Sequence, residues 1–171
     1  MSFKSTLLAA VVTAFVALPA FADGITVKDA YARSATPMAK TGAAFMMIMN
    51  HSGSDDRLID ARADVAKRVE LHTHKDNGEG VMQMLHVKEG FAIADGEMLS
   101  LERGGHHVMF MGLTEPFTQD KMVPVTLVFE KAGEVVVEIP VDLNRKGGHG
   151  HGHGDHGHKH GDHDKMMKKS N

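Results

Sequence analysis

Residues 123–130, VPVTLVFE, and residues 134–141, EVVVEIPV, are two short runs rich in β-branched side chains, parted by the turn signal Lys131-Ala132-Gly133. The same grammar recurs upstream. Ile25–Ala32, Ala43–Asn50, Arg57–Ala63, Arg68–His74, Val81–Val87, Glu97–Leu101 and His107–Met111 are runs of this kind. Asn50-His51-Ser52-Gly53-Ser54, Asp76-Asn77-Gly78 and Ala94-Asp95-Gly96 set several of them apart. About nine short strands at regular spacing predict an all-β domain, an antiparallel sandwich or barrel. Helical signals are confined to one turn around Asp64–Lys67.

The two ends of the chain have other compositions. Lys4 followed by an uncharged apolar stretch from Leu7 to Leu18, with Ala20-Phe21-Ala22 ahead of Asp23, reads as an export signal covering residues 1–22. That stretch is shorter than the roughly 20 apolar residues of a spanning helix, so no membrane span is expected once the signal is removed. From Gly147 to Asn171 the sequence is His, Gly, Asp and Lys with too few apolar groups to offset ordering entropy, which predicts a disordered tail. One domain, residues 23–146, is left between them.

Composition removes several classes of function. With no cysteine there is no disulfide, thiol redox motif, thiolate nucleophile or thiolate metal ligand. A net charge of -3, with no clustered Lys/Arg surface, excludes nucleic acid as the partner. In their place stand 13 His and 13 Met in 171 residues, a bias toward soft and borderline metal ligands.

Two segments concentrate that bias. In His107-Val108-Met109-Phe110-Met111, strand alternation puts His107, Met109 and Met111 on one face, with His107 and Met109 about 7 Å apart at Cα. His106 falls on the opposite face. In the second segment, Glu70-Leu71-His72-Thr73-His74 and Val81-Met82-Gln83-Met84 flank a turn and predict a hairpin that brings His72 or His74 near Met82 or Met84. Two imidazoles and two thioethers, with neither carboxylate nor thiolate, favour Cu(I) over Zn, Mg or Ca. Met46, Met47 and Met49 alternate along a strand and read as packing, and strand-core packing also suits Met111 better than ligation. Met38 could flank the site only through a loop.

The domain resembles the periplasmic copper chaperone PCu(A)C family over Ile25–Leu143. The resemblance rests on Ala32-Arg33, Lys40-Thr41-Gly42-Ala43-Ala44-Phe45-Met46, Glu70-Leu71-His72, Val81-Met82-Gln83-Met84, residues 104–113 (GGHHVMFMGL) and residues 129–134 (FEKAGE). It implies a cupredoxin-like antiparallel β-sandwich with Greek-key connections. By position it implies a Cu(I) site of His72, Met84, His107 and Met109. The family usually spaces its first histidine and methionine by ten residues, whereas His72 and Met84 enclose eleven. His74 therefore competes with His72, Met82 with Met84 and, less strongly, His106 with His107; Met111 is an outer contact at most. The resemblance further implies a non-enzymatic carrier in the periplasm whose acceptor is a copper protein, a cytochrome oxidase subunit or its assembly factor.

The tail supports a separate expectation. His149, His151, His153, His156, His158, His160 and His163 alternate with Gly and Asp, forming a string of imidazoles suited to Cu(II) or another divalent metal. A periplasmic metal buffer dominated by this tail is the rival reading. An enzyme is the weaker rival, since no acid/base pair accompanies the proposed ligands.

Overall fold

The apolar alternation legible in the sequence becomes the inner lining of two facing sheets. The structure is a computed structural model that describes residues 24–78 and 80–146. Ten strands form: β1 (Ile25–Ser34), β2 (Thr41–Asn50), β3 (Asp56–Arg62), β4 (Ala66–Asp76), β5 (Met82–His86), β6 (Phe91–Ile93), β7 (Met98–Leu101), β8 (His107–Leu113), β9 (Met122–Phe129) and β10 (Gly133–Pro140). In β9 the four residues Val123, Val125, Leu127 and Phe129 are buried while Met122 and Pro124 are exposed, the period-2 pattern of a half-buried strand.

One sheet has the order β1-β2-β8-β4-β5, with β7 also paired to β2, and the other is β10-β9-β3-β6. All strand pairs are antiparallel. The chain crosses between sheets after β2, β3, β5, β6 and β8. Ala44, Ile48, Leu71, Val108 and Phe110 of the first sheet meet Leu58, Val125, Leu127, Phe129 and Ile139 of the second, all buried in one core. Each large aliphatic or aromatic side chain so buried contributes about 1.5–3 kcal/mol. Gly42 belongs to this packing: a Cβ there would lie 2.6 Å from the Phe117 ring, so any side chain would displace Phe117 from its edge-to-face contact with Phe110.

Two details depart from the sequence reading. Asp64–Lys67 is not a helical turn: residues 64 and 65 turn, and β4 has already begun at Ala66, which pairs with Leu113. Val65 is buried and its carbonyl accepts from Thr114 N–H at 2.9 Å, so tertiary contacts decide this corner. The tenth strand, β6, has only three residues, with Phe91 and Ile93 buried on either side of exposed Ala92; that is too short for a periodic signal.

β7 and β8 lie end to end along the same side of β2. β7 pairs with Met46–Met49 and β8 with Thr41–Ala44. The connection through Glu102–His106 thus lies partway along β2 rather than at the end of the sheet. After β10, Val141 forms a parallel bridge to Ala32, and the chain runs on beside β1. The signal segment 1–22 and the tail 147–171, with its seven histidines, lie outside the described residues.

Candidate metal centre

Because Val108 and Phe110 of β8 point into the core, His107, Met109 and Met111 project from the outer face of the five-stranded path. β8 runs between β2 and β4. Across one side, Ala43 pairs with Met109 and Thr41 with Met111; across the other, His72 pairs with His107, Glu70 with Met109 and Arg68 with Met111. β5 extends the same face: His86 lies opposite His72, Met84 opposite His74 and Met82 opposite Asp76. Two strand pairings therefore fix a row of imidazoles beside a row of thioethers.

His74, Met84, His107 and Met109 line one pocket, with Phe45, Arg103 and Gly104 at its rim. Gly104, at φ +87°, takes a left-handed turn without a steric penalty, and nothing would stand near a Cβ there; the mouth of the pocket is open on that side. The His74 and His107 rings are 5.1 Å apart, and His72 meets His107 edge-on at 5.9 Å. Met84 is exposed, whereas His107 is 2 % exposed beneath Phe45 and its histidine neighbours.

Hydrogen bonding assigns the ring nitrogens. Gly105 C=O can only accept, so His107 Nδ1–H donates to it at 3.1 Å and leaves the Nε2 lone pair free. Burial pushes the His107 imidazolium pKa down; the Gly105 carbonyl opposes this, and the positive fields of His74, His72 and His106 add to the depression. The ring is thus held neutral, the form that binds metal. His72 Nε2–H donates to Glu70 Oε2 at 2.8 Å. That hydrogen bond is the main cause holding the Glu70 carboxyl below its ordinary range, against desolvation, with His86 and Arg68 assisting. Among the described residues, His72 Nδ1, His74 Nδ1 and His106 Nδ1 are buried with no hydrogen-bond partner. Orphaned buried polar atoms are costly, and of these three His74 Nδ1 belongs to a ring that lines the pocket, where it fits a metal ligand.

The remaining sequence candidates lie elsewhere. Met82 is exposed at the far end of the hairpin. The Met111 sulfur accepts from Arg68 Nη2 at 3.4 Å, away from the pocket. His106 packs on the Phe91 ring at 4.2 Å instead of joining Met109. Met38 is exposed in the loop after β1, and Met46 is buried in the core. Sequence reasoning passed over His86, whose ring stacks on His72 at 5.6 Å, and over Arg103 and Phe45 at the pocket rim. Only the β4–β5 register identifies His86, since it pairs with His72 once the turn length is known. Among the described residues no group of three or more His, Asp or Glu side chains is arranged to hold a metal. The donor set at the pocket is mixed imidazole and thioether, suited to a soft ion.

A cupredoxin-like β-sandwich whose outer sheet face gathers imidazoles and thioethers is the class that fold and site define. Residues 25–141 match the family described as "Putative lipoprotein LpqE-like", and the chain belongs to that family. It is 34% identical over 121 residues to "Putative lipoprotein Lxx21020" of Leifsonia xyli subsp. xyli, covering 70% of each chain. Among solved structures it is similar to the copper-bound PCuAC domain from PmoF2, at TM-score 0.57 and 21% identity, over 70% of this chain and 93% of that one; this likeness concerns the fold alone. It is also similar to CuI-DR1885 from Deinococcus radiodurans, at TM-score 0.54 and 30% identity, over 72% of this chain and 83% of that one. The resemblance to the PCu(A)C family and the all-β cupredoxin-like fold expected from it are thereby borne out. Among the described residues no helix is long and apolar enough to cross a membrane.

Proposed function

We propose that this protein is an exported copper chaperone, resident in the periplasm, that holds one Cu(I) on the outer sheet face and passes it to a copper-acceptor protein. The observation that carries this reading is the pocket lined by His74, Met84, His107 and Met109. Of the two histidines in competition, His74 is assigned to the set, because it lies directly opposite Met84 and lines the pocket. His72 is assigned a flanking place, held through Nε2 by Glu70. The similar solved structure described as CuI-DR1885, at 30% identity, supports the choice of metal.

The chemistry is that of a carrier. Thioethers are neutral, comparatively weak donors, so an acceptor bringing thiolates or more imidazoles takes the ion by ligand exchange without a change of oxidation state. Assembly of the copper sites of cytochrome oxidase is the delivery step assigned here, with an oxidase subunit or its assembly factor as acceptor. The seven tail histidines are assigned a second, divalent metal such as Cu(II).

Anaerobic Cu(I) titration of the full-length protein followed by X-ray absorption tests the reading. One tightly held Cu(I) with nitrogen and sulfur neighbours is expected. Spectra with nitrogen or oxygen neighbours alone would falsify it, and would favour a metal buffer dominated by the tail.

A further inference from the structure

We propose that a depression beside the metal pocket, walled by Arg33 and Arg103, receives a carboxylate-bearing segment of the copper acceptor, and that Cu(I) leaves on the Met109 side; the inference rests on the Cu(I) carrier reading above. One cross-strand row places its parts. Arg33 of β1 pairs with Ala43 of β2, Ala43 with Met109 of β8, and Met109 with Glu70 of β4. The single methyl of Ala43 leaves a low floor between the Arg33 side chain and the Met109 thioether, and Thr41, Phe45 and Arg103 complete the walls. Ala43, Phe45, Arg103 and Met109 also line the metal pocket, so the two depressions meet.

Charge sets this mouth apart from the rest of the surface. The chain has six arginines, of which Arg57, Arg62, Arg68 and Arg145 each pair with a carboxylate. Among the described residues, the two without such a pair are Arg33 and Arg103, the same two that wall the depression. Arg33 Nη1 donates to the neutral Arg145 carbonyl at 3.2 Å, which leaves its charge uncompensated, and Arg103 is exposed. No carboxylate among the described residues lines either depression. Glu70, at the far end of the row, is taken by His72 and by Arg68 at 3.1 Å; Asp29 is taken by Arg145, and Glu102 lines a neighbouring depression beside Tyr31. On a chain of net charge -3, two free guanidiniums at the metal pocket make a local positive field. A neutral donor set lets a bound Cu(I) add one more unit to it.

A guanidinium presents a planar fork that matches a carboxylate. Exposed pairs of this kind add little affinity, yet a focused field raises encounter rates by about 10- to 1000-fold, and salt weakens both effects. That combination suits a hand-off, because the partner is brought in fast and held loosely. It disfavours a second copy, since two positive mouths repel. Met109 is the one proposed ligand that lines both depressions, so a donor delivered along the arginines meets it first. The exchange balances: the incoming donor gives a lone pair to Cu(I), the Met109 sulfur leaves with its own, and the copper stays Cu(I). Departure of the ion then removes one positive charge from the mouth and loosens the anionic partner.

The test loads the full-length protein with one equivalent of Cu(I) and mixes it anaerobically with either of two chelators that share the same phenanthroline nitrogens, anionic bathocuproine disulfonate or neutral neocuproine. Transfer rates are read by absorbance. At low salt, Arg103→Gln should lower the ratio of the anionic to the neutral rate severalfold, and the double variant Arg33→Gln with Arg103→Gln about tenfold. Arg103→Glu should lower the ratio further than Arg103→Gln, and salt at about 0.5 M should erase the differences between variants. Hexaglutamate should slow transfer to the anionic chelator more than sodium phosphate does at equal ionic strength. An unchanged ratio in all three variants overturns the inference and leaves the Cu(I) carrier standing. Equal slowing by hexaglutamate and phosphate overturns the carboxylate-bearing partner in favour of a small-ion site. A chain that takes up no Cu(I) before mixing sinks the carrier reading itself and this inference with it.

Discussion

Two places where polar side chains are buried treat their hydrogen bonds in opposite ways. At the corner joining β3 to the β9–β10 turn, Asp56 accepts from the backbone N–H of Arg57 at 2.7 Å, Lys131 at 2.9 Å and Ala132 at 2.9 Å. Nearby Asn50, fully buried, donates to Ser54 and Ile93 carbonyls and accepts from Ser52 N–H and Oγ–H. Every polar atom of both side chains is matched. On the outer face of the β1-β2-β8-β4-β5 sheet, by contrast, His72 and His74 each bury an Nδ1 without a partner. The first region closes its hydrogen bonds on itself and holds the fold; the second leaves buried imidazole nitrogens unmatched, as the proposed metal site requires.

The contrast is broken if the two regions fail to separate stability from binding. The largest effect on folding is expected from Asp56→Ala, which strands three buried or half-buried N–H groups: a loss of about 3 kcal/mol in urea unfolding, with Cu(I) affinity unchanged. A loss of affinity equal to the loss of stability would erase the distinction. His107→Ala should do the reverse. Cu(I) affinity in competition with a chelating probe should fall at least about a hundredfold, equivalent to about 2.7 kcal/mol, while the metal-free sandwich stays folded by circular dichroism.

Single donors sharpen the picture further. Met109→Leu nearly conserves volume and removes only the sulfur, so about a tenfold loss of Cu(I) affinity is expected with little change in stability. His74→Ala should cost more affinity than His72→Ala, because His74 faces Met84 across the hairpin. The opposite order would return His72 to the ligand set.

The smallest effect concerns pH, measured on metal-free protein. Burial, outweighing the Gly105 bond, leaves His107 with a folded pKa below its unfolded value near 6.5, so its stabilisation is full above about pH 6.5 and is lost as pH falls through the folded pKa. For Asp56, burial raises the pKa, but the three backbone N–H bonds outweigh it and hold the folded value below the unfolded one near 3.9. Its contribution is present above about pH 3.9 and lost as pH falls through the folded pKa. Stability should therefore decline in two separated windows, and Asp56→Asn should remove only the lower one.

Much of the sandwich was legible because its strands alternate cleanly: Val123, Val125, Leu127 and Phe129 announce a buried face without any structure. β6 was not, since Phe91-Ala92-Ile93 offers a single alternation. At the site, the faces of His107 and Met109 followed from strand period alone. The choice between His72 and His74 did not, because it depends on how many residues the Asn77–Val81 turn consumes before pairing resumes, and a one-residue slip exchanges every opposite neighbour. Observed pairing sets His74 against Met84 and brings in His86, which no spacing rule had marked.

The place of β8 between β2 and β4 also dictates when the pocket can exist during folding. Strands β4 and β5 form a local hairpin, so His74 and Met84 meet early. His107 and Met109 come later in the sequence and must insert between β2 and β4, pairing with β2 across a long sequence separation. On the proposed site, a chain that has not completed that insertion would offer an ion two donors instead of four, so metal capture would select chains in which β8 has paired.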